Sequence, residues 1–572
     1  MSAPRTIVEV LELRAAQSGS QWAQTFLATV DGAPVSQTYG QLWTRACGIA
    51  ARLRDCSANP ERALVMLEPG LDYVQAFFGC MLAGVVAIPS QVPRNRREAE
   101  RVAGIIADSR PQAILVNRKS AARIQDLGDE MAASPWPSLV MVEDISDGGA
   151  IKSSAHPRSG DLAFIQYTSG STRQPKGVMV THENIMWNSA LIRERFRHSD
   201  GSRGVIWLPP YHDMGLIGGI LQPVYSGFPV QLMSPFRFLQ NPLNWLKCIS
   251  ETRGTTSGGP DFCYETCSQR ISEAALDDLD LSSWRVAFTG GEPVRESTVL
   301  RFAEKFSRCG FRREAFLPCY GLAEATLMVT GGFFEAGASR PSRGGAGRAV
   351  VSCGQSAVDQ NVRIVDPETA TVSAEGTEGE IWVKGPGVAA GYWGRRTEPA
   401  PEFSGFIAPG GDGPYLRTGD LGFQMDGRLY VSGRQKDLVI VRGRNFSPHD
   451  IEQVAAAAHP KIVAAGVAAF GLEHEQGERL VCVAEVHRSS SAADCRDMRG
   501  AIREAVGQAV GVAPHDIRLV RPYTLPRTSS GKLQRFLCAD HYRDGTLAGH
   551  VPIESPPATD SLASAISNQD NS

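Results

Sequence analysis

The sequence lacks a strong net charge of either sign, because 58 basic and 61 acidic residues leave a formal charge of −3. A charge of that size gives no reason to expect a nucleic acid or an anionic membrane as the partner. The 572 residues are enough for two or three domains with sizeable cores. A globular enzyme is compatible with these values, and a small molecule or a protein is the better-fitting partner.

The cysteines also lack the spacing of a metal site. All twelve are scattered, and the nearest pair, Cys263 and Cys267, has no neighbouring His or Cys cluster that would complete a set of ligands. We therefore interpret the twelve cysteines as reduced thiols that take part in ordinary packing.

Membrane and export signals are missing as well. The N-terminal stretch MSAPRTIVEVLELRAAQ has no basic segment followed by an apolar run, and its pattern favours an amphipathic helix. The most apolar long stretch, residues 65–89, is interrupted by Glu68, Asp72 and several glycines, so it falls short of a membrane span. We expect a cytoplasmic protein without membrane insertion.

Short apolar runs, such as LAFIQY at 162–167 and VIWLPP at 205–210, alternate with helical patterns. This alternation predicts an α/β fold whose large N-terminal domain contains mixed and parallel sheets with helices. The stretch GRLYVSGRQKDLVIVRGRNFSPHDIEQVAAAA predicts a hairpin and then a helix, with Ser447 as N-cap, Pro448 at the first helical position and Asp450 in the first turn.

This pattern and the composition of the C-terminus predict that the chain is divided into two domains and a tail. We expect a large domain over residues 1–433 and a small α+β domain over residues 434–550. Residues 551–572 are rich in Pro, Ser and Asp, which predicts a disordered tail.

A stretch rich in glycine and hydroxyl groups, YTSGSTRQPKGVMVTHENI, begins at Tyr167. Glycine lets backbone N–H groups converge on an anion, hydroxyls donate further hydrogen bonds, and lysine adds a positive charge. The stretch therefore predicts a phosphate-binding loop between two strands. A Walker loop is disfavoured, because Lys176 precedes a glycine and a strand instead of Ser or Thr and a helix. The alternative is an exposed hairpin that happens to be rich in Ser and Thr.

This loop and five later stretches resemble, in order, the motifs of the adenylate-forming superfamily of acyl and aryl ligases, luciferases and nonribosomal adenylation domains. The resemblance covers almost the whole chain. The later stretches are FTGGEPV at 288–294, CYGLAEAT at 319–326, YLRTGDLGF at 415–423, GRQKDLVIVRGRNFSPHDIE at 433–452 and LPRTSSGKLQR at 525–535.

Within the superfamily, the sequence most resembles the fatty acyl-AMP ligases, which activate fatty acids and transfer them to acyl carrier proteins. The likeness rests on LPPYHDMGLIGGIL at 208–221, on the passage from VSCGQ to IVDPET at 351–369, and on RGRNFSPHDIE at 442–452. That family usually carries an extra hydrophobic insertion between the YGLAEAT and VSCG segments, which is thought to disfavour coenzyme A. Here the interval, residues 327–350, is short and rich in Gly, Ser and Arg.

The implied reaction brings two anions together, since a carboxylate attacks the α-phosphate of ATP, so catalysis is mostly positioning and charge neutralisation. The resemblance implies that Glu324 ligates Mg²⁺, which suits a carboxylate; a Glu in such a position is otherwise a partner of a helix dipole. Lys532 is implied to reach the carboxylate and α-phosphate oxygens, where the alternative is a solvated surface charge. The residues implied to hold the β- and γ-phosphates are Thr168, Ser169, Gly170, Ser171, Thr172 and Lys176.

The resemblance also implies a set of residues that lie along the nucleoside. Asp420 is implied to accept hydrogen bonds from the ribose hydroxyls, and Arg434 to reach the ribose or a phosphate. Gly291 and Glu292 are implied to pass along the adenine, although GGEP is equally typical of a turn that places Glu292 in the first turn of a helix. The remaining nucleotide-side residues are Tyr320 and Gly321.

Two further residues have roles implied by the resemblance. His212 flanks the acyl carboxylate at the mouth of a tunnel, with a buried core histidine as the alternative; no general base is needed, because the carboxylate is ionised near neutral pH. Lys436 is the pivot of a hinge. Adenylation needs Lys532 inside the site, whereas thiol attack needs that face open, and a mobile small domain resolves the conflict.

Three functions are compatible with these residues. The first is a fatty acyl-AMP ligase that uses ATP and Mg²⁺ and loads the phosphopantetheine arm of an acyl carrier protein. The second is an acyl-CoA ligase with coenzyme A as acceptor. The third, a nucleotide-binding module without catalysis, is disfavoured because the phosphate loop, Glu324, Asp420 and Lys532 are all present. The many apolar residues at 218–246 favour an aliphatic acid.

Overall fold

The computed structural model describes residues 3–27, 33–56, 60–126, 137–148, 156–168, 175–335, 337, 339–341, 349–394, 400–441, 444–473, 478–528 and 531–547. The chain forms two compact units, of which the larger comprises Met1–Lys436 with Thr528–Lys532, and the smaller comprises Asp437–Arg527 with the residues from Leu533 onward. The domain boundary expected after residue 433 stays a prediction. The tail expected at 551–572 lies outside the described residues.

The regular elements alternate along the larger unit and give way to a short α+β pattern in the smaller one. The strands are β1 (Trp22–Leu27), β2 (Val35–Thr38), β3 (Arg62–Met66), β4 (Val86–Ser90), β5 (Ala113–Val116), β6 (Ser138–Met141), β7 (Leu162–Thr168), β8 (Lys176–Thr181), β9 (Gly204–Ile206), β10 (Val230–Met233), β11 (Thr256–Gly259), β12 (Val286–Thr289), β13 (Phe316–Gly321), β14 (Met328–Gly331), β15 (Arg340–Pro341), β16 (Ala349–Val350), β17 (Gln355–Ser356), β18 (Asn361–Val365), β19 (Gly379–Lys384), β20 (Gly405–Ile407), β21 (Asp412–Met425), β22 (Arg428–Arg434), β23 (Val439–Val441), β24 (Arg444–Phe446), β25 (Ile462–Leu472), β26 (Arg479–Val486) and β27 (Asp516–Val520). The α-helices are α1 (Ile7–Ser18), α2 (Tyr39–Arg54), α3 (Leu71–Ala83), α4 (Arg96–Ser109), α5 (Arg118–Asp126), α6 (His182–Arg195), α7 (Gln222–Ser226), α8 (Pro235–Gln240), α9 (Leu243–Thr252), α10 (Asp261–Arg270), α11 (Glu296–Phe306), α12 (Pro448–Ala457), α13 (Ala492–Val510) and α14 (Arg535–Arg543).

Two large sheets dominate the larger unit. One has the strand order β17-β14-β13-β12-β11-β9-β10-β1-β2, and its central pairs from β13 to β1 are parallel. The other has the order β6-β5-β3-β4-β7-β8 and is parallel except for the final β7–β8 pair. A third sheet, β18-β19-β21-β20 with β22 on β21, is antiparallel. These sheets confirm the predicted α/β fold class.

Local sequence signals explain where several elements begin. Thr6 caps α1 by accepting the backbone N–H of Glu9 at 3.1 Å, so the expected N-terminal helix is present. The helix expected after the C-terminal hairpin is α12, with Ser447 at its N-cap and Pro448 in its first turn. The interpretation of the twelve cysteines as free thiols is also confirmed.

Buried aromatic rings fill the core behind the parallel strands of the nine-stranded sheet. Trp207 stacks on Phe238 with ring centroids 4.0 Å apart, and Trp245 packs edge-on against Trp284 at 5.3 Å. All four side chains are buried. Such rings remove much apolar surface from water, which stabilises the sheet.

The smaller unit contains the three-stranded sheet β25-β26-β27 and the hairpin β23–β24. Helices α12 and α13 pack with this sheet around one apolar core that includes Ile451, Met498 and Ile502. Over the described part of the chain, every helix is too short or too polar to cross a membrane.

Candidate active site

The candidate phosphate loop connects an antiparallel strand pair. Strand β7 ends at Thr168 and β8 begins at Lys176, and these two residues are opposite each other in the ladder. The strand that was expected after the lysine is therefore present. The loop residues Ser169, Gly170, Ser171 and Thr172 lie outside the described residues.

Lys176 lies between a carboxylate and an aromatic ring. Its Nζ is 2.6 Å from Oε1 of Glu402 and 4.8 Å from the centre of the Tyr392 ring. The loop that carries Tyr392 is held beside β8 by backbone hydrogen bonds, including Trp393 N–H to the Gly177 carbonyl at 2.7 Å. The ammonium group is therefore held on two sides.

The hydroxyl of Tyr392 donates a hydrogen bond of 2.8 Å to Oε1 of Glu324. Glu324 lies in the 3-10 turn Ala323–Ala325, directly after β13, and its backbone carbonyl accepts the N–H of Ala389 at 2.9 Å. Burial raises the pKa of Glu324, and the hydrogen bond from Tyr392 opposes that rise. Tyr392 thus connects the candidate metal ligand to the candidate phosphate lysine.

Asp420 and Arg434 are brought together by strand register. The two residues are opposite each other in the β21–β22 ladder, and Arg434 Nε lies 3.1 Å from Asp420 Oδ1. Tyr320, at the end of β13, donates its hydroxyl to Asp420 Oδ2 at 2.8 Å. Gly321 follows, where a Cβ would lie 1.7 Å from the Leu327 carbonyl oxygen, so only glycine fits this position.

The turn after β12 contains Gly291 and Glu292. Gly291 has φ of +79°, and a Cβ there would approach Lys532 Nζ to 3.1 Å. Glu292 accepts the backbone N–H of Phe262 at 2.7 Å. Burial, and then the nearby charge of Asp261, raise the pKa of Glu292. The alternative that Glu292 belongs to the first turn of a helix is wrong, because the next helix, α11, begins at Glu296.

Lys532 lies close enough to His212 for its charge to affect the pKa of the imidazole. The Lys532 backbone closes a tight loop with Thr528, whose N–H donates to the Lys532 carbonyl at 2.8 Å. Burial, with smaller contributions from the charges of Arg101 and Lys532, lowers the pKa of His212 to about 3. The imidazole is therefore uncharged near neutral pH.

The expected hinge residue, Lys436, lies in the 3-10 turn Gln435–Asp437 that follows β22. It is exposed, and it is the last residue of the larger unit before Asp437 begins the smaller one. Its role as a pivot stays a prediction.

Sequence reasoning missed Tyr392 and Glu402, which contact the predicted lysine directly. Both residues lie more than two hundred positions after Lys176, in stretches without a recognised motif. Only their placement beside β8 reveals them, because contacts over such chain separations depend on strand order and packing.

The fold and this arrangement agree with a match of residues 11–393 to the model of the AMP-binding enzyme family. The chain belongs to that family. It is 38% identical over 573 residues to the medium-chain-fatty-acid–[acyl-carrier-protein] ligase JamA of Moorena producens, an alignment that covers 96% of this chain and 97% of that protein. The recognition of the superfamily from its motifs is confirmed.

Two more similarities concern fatty acyl-AMP ligases. The long-chain-fatty-acid–AMP ligase FadD28 of Mycobacterium tuberculosis is 36% identical over 557 residues, which are 91% of this chain and 94% of that protein. A solved fatty acyl-adenylate ligase from L. pneumophila, in complex with acyl adenylate and pyrophosphate, is 36% identical with a TM-score of 0.71. That match covers 96% of this chain and 97% of the other.

Proposed function

We propose that the protein activates a fatty acid with ATP to an acyl-adenylate and then transfers the acyl group to the phosphopantetheine thiol of an acyl carrier protein, with release of AMP. The observation that carries the proposal is Tyr392, which joins the phosphate-loop lysine Lys176 to the carboxylate of Glu324. A relative that is similar over nearly its whole length carries a name for this same activity. The cytoplasmic location stays a prediction.

In the adenylation step, a fatty-acid carboxylate oxygen forms a bond to the α-phosphorus of ATP, and the bond to the β-phosphate oxygen breaks. Pyrophosphate leaves with the electron pair. Lys176 holds the β- and γ-phosphates and neutralises their charge, while Asp420 accepts hydrogen bonds from the ribose. Both side chains are already fixed by neighbours, Lys176 by Tyr392 and Asp420 by Tyr320.

Glu324 fits the role of a Mg²⁺ ligand. Its carboxylate is oriented by the Tyr392 hydroxyl, and carboxylate oxygens suit this hard cation. Within the described ranges, no group of three His, Cys, Asp or Glu side chains exists that would bind a metal by itself. Mg²⁺ is commonly held by only one or two protein carboxylates, so Glu324 would suffice as its protein ligand. The bound ion would supply positive charge to the phosphates.

Lys532 and His212 are proposed to act on the acyl side. Lys532 contributes an ammonium charge to the attacking carboxylate and the α-phosphate. His212 is uncharged, since its pKa is lowered to about 3, so it shapes the site and offers hydrogen bonding without a competing positive charge.

An acyl-CoA ligase is the second candidate. The observation in its favour is the short interval 327–350, where fatty acyl-AMP ligases usually carry the insertion thought to disfavour coenzyme A. Both candidates share the adenylation step and differ only in the thiol acceptor, so the acceptor decides between them.

The test incubates the purified full chain with ATP, Mg²⁺ and a series of fatty acids, and offers coenzyme A or a phosphopantetheinylated carrier protein in parallel. Mass spectrometry should find the acyl-carrier thioester, and only acyl-adenylate in the coenzyme A reaction. The control is the carrier protein without its phosphopantetheine arm. Efficient formation of acyl-CoA would favour the second candidate, and a lack of pyrophosphate release would contradict both.

A further inference from the structure

Glu402 is the acidic partner of the phosphate-loop lysine. It lies in the 3-10 turn Pro401–Phe403, and its Oε1 is 2.6 Å from Lys176 Nζ. Burial acts to raise the pKa of Glu402, but the hydrogen bond and charge of Lys176 prevail and the pKa is lowered. The carboxylate is therefore ionised at neutral pH and forms a true ion pair.

The turn that carries Glu402 is anchored beside the site. Phe403 packs edge-on against the Tyr392 ring, with centroids 5.2 Å apart, and the same ring lies under Lys176. The Glu402 side chain itself is 31% exposed and that of Lys176 is 28% exposed. The backbone of the turn is thus fixed by packing, while the carboxylate has room to move away from the lysine.

We propose that Glu402 is a positioning residue that competes with the triphosphate of ATP for Lys176. The inference rests on the proposed function, because it takes ATP as the ligand of Lys176. A phosphate and a carboxylate are both anions, and both seek the same ammonium group. Binding of ATP therefore requires Lys176 to exchange or share its partner, and the negative charge of Glu402 repels the incoming phosphates.

The competition sets the affinity for ATP and leaves the chemical step unchanged. An ion pair with this degree of exposure contributes modestly, so its removal should strengthen ATP binding by about twofold to fivefold. The affinity for the fatty acid should not change. A carboxylate that merely stabilised the turn would instead weaken ATP binding when removed, so the two roles predict opposite signs.

The test substitutes Glu402→Gln, which keeps the size and an oxygen acceptor but removes the charge. Isothermal titration calorimetry measures the Kd for Mg·ATP, and pyrophosphate release gives separate KM values for ATP and for the fatty acid. We expect the Kd and KM for ATP to fall about twofold to fivefold and the KM for the fatty acid to stay constant. Glu402→Ser is a second variant with the same expected direction, and Glu402→Asp, which keeps the charge, should behave like the wild type.

The larger unit offers a matched control. Lys384 Nζ lies 2.8 Å from Asp412 Oδ1 and 5.3 Å from the centre of the Tyr415 ring, which repeats the lysine, carboxylate and tyrosine arrangement. Asp412→Asn should leave the Kd for Mg·ATP unchanged.

The outcomes separate this inference from the proposed function. An unchanged or higher Kd for Mg·ATP in folded Glu402→Gln and Glu402→Ser would overturn the competition. If the wild type binds Mg·ATP but forms no acyl-adenylate, the proposed function fails and the comparison of Kd values still decides the role of Glu402. A wild-type chain that binds no ATP would overturn both.

Discussion

Tyr392 shows how one residue organises several charges. Its ring faces the ammonium group of Lys176, and its hydroxyl donates to the carboxylate of Glu324. Burial raises the pKa of the Tyr392 phenol, and the negative charge of Glu324 raises it further, so the hydroxyl remains protonated as a donor. The charges of Lys176 and Glu324 are thus positioned by a neutral residue.

Lys532 is expected to serve only one of the two half-reactions. Lys532→Ala removes the ammonium group that we propose stabilises charge at the α-phosphate, so adenylation should fall by about 10²- to 10³-fold. Thioester formation from preformed acyl-adenylate should remain largely intact. Pyrophosphate release measures the first step, and mass spectrometry of the carrier thioester measures the second.

A control for this variant is Lys461→Ala in the smaller unit. Lys461 forms an ion pair with Asp494 at 2.7 Å, its side chain is 38% exposed, and no predicted site residue lies within 20 positions of it in the sequence. Both half-reactions should be unaffected by its loss. An equal decrease of both half-reactions in Lys532→Ala would contradict the assigned role.

Strand pairing determines the part of the candidate site that contains Asp420 and Arg434. Asp420 and Arg434 belong to different motifs of the sequence, and the antiparallel register of β21 and β22 places them opposite each other. A shift of one residue in that register would point one of the two side chains to the other face of the sheet. The pair is therefore a property of the hairpin and not of either residue alone.

The segment after β22 is where we expect a change of backbone conformation between the half-reactions. Lys436→Pro fixes φ and removes a backbone N–H within the turn Gln435–Asp437. Adenylation should stay within about twofold of the wild type, while acyl transfer should fall by about tenfold or more, because the hinge no longer adopts its second conformation. The two rates are compared in single-turnover assays of each step.

Lys436→Ala removes the side chain but leaves the backbone free, so it should retain both activities. If Lys436→Pro transfers the acyl group at the wild-type rate, this residue is not the pivot.

At the scale of the whole molecule, the smaller unit contains an ion pair whose carboxylate, on Glu452, is buried. Arg535 binds both carboxylate oxygens of Glu452, at 2.6 and 2.7 Å, and also lies 3.1 Å from Asp437. Burial alone would raise the pKa of Glu452, but the Arg535 guanidinium lowers it to about 2. The pair connects α14 to α12, two helices that the sequence separates widely.

Arg535→Met leaves the buried Glu452 carboxylate without its guanidinium partner, which should destabilise the smaller unit by about 3–5 kcal/mol near pH 7. Hydrogen exchange of β25 is the measurement, because Ala469 N–H donates to Glu452 Oε1 at 3.0 Å. Arg96→Met is the control: Arg96 and Glu100 form an exposed pair on α4, with side chains 75% and 60% exposed. Its loss should cost no more than about 0.5 kcal/mol.

The same variant has a defined pH dependence. In the wild type the folded pKa of Glu452 lies below the unfolded value of about 4.3, so its stabilisation is complete above that value and is lost as the pH falls towards 2. In Arg535→Met burial raises the folded pKa instead, so acid favours the folded state. The difference between the two proteins should therefore shrink from pH 7 to pH 4, and a constant difference would contradict the ion-pair account.

The sequence by itself determined the local features of this protein. Short apolar runs predicted β7 and β8 on either side of the loop before Lys176. Ser447 and Pro448 predicted the start of α12, and six ordered motifs predicted the family. These features depend on hydrogen bonds and dihedral preferences within a few residues, which short stretches of sequence specify.

Only the tertiary structure decided which side chains meet at the candidate site. Glu402 and Tyr392 contact Lys176 because the chain returns to β8 after several strands, and no local pattern encodes that return. The energies of such contacts depend on distance and burial in three dimensions, whereas the sequence gives only order along the chain. The motifs therefore indicated the family, and packing selected the neighbours of Lys176.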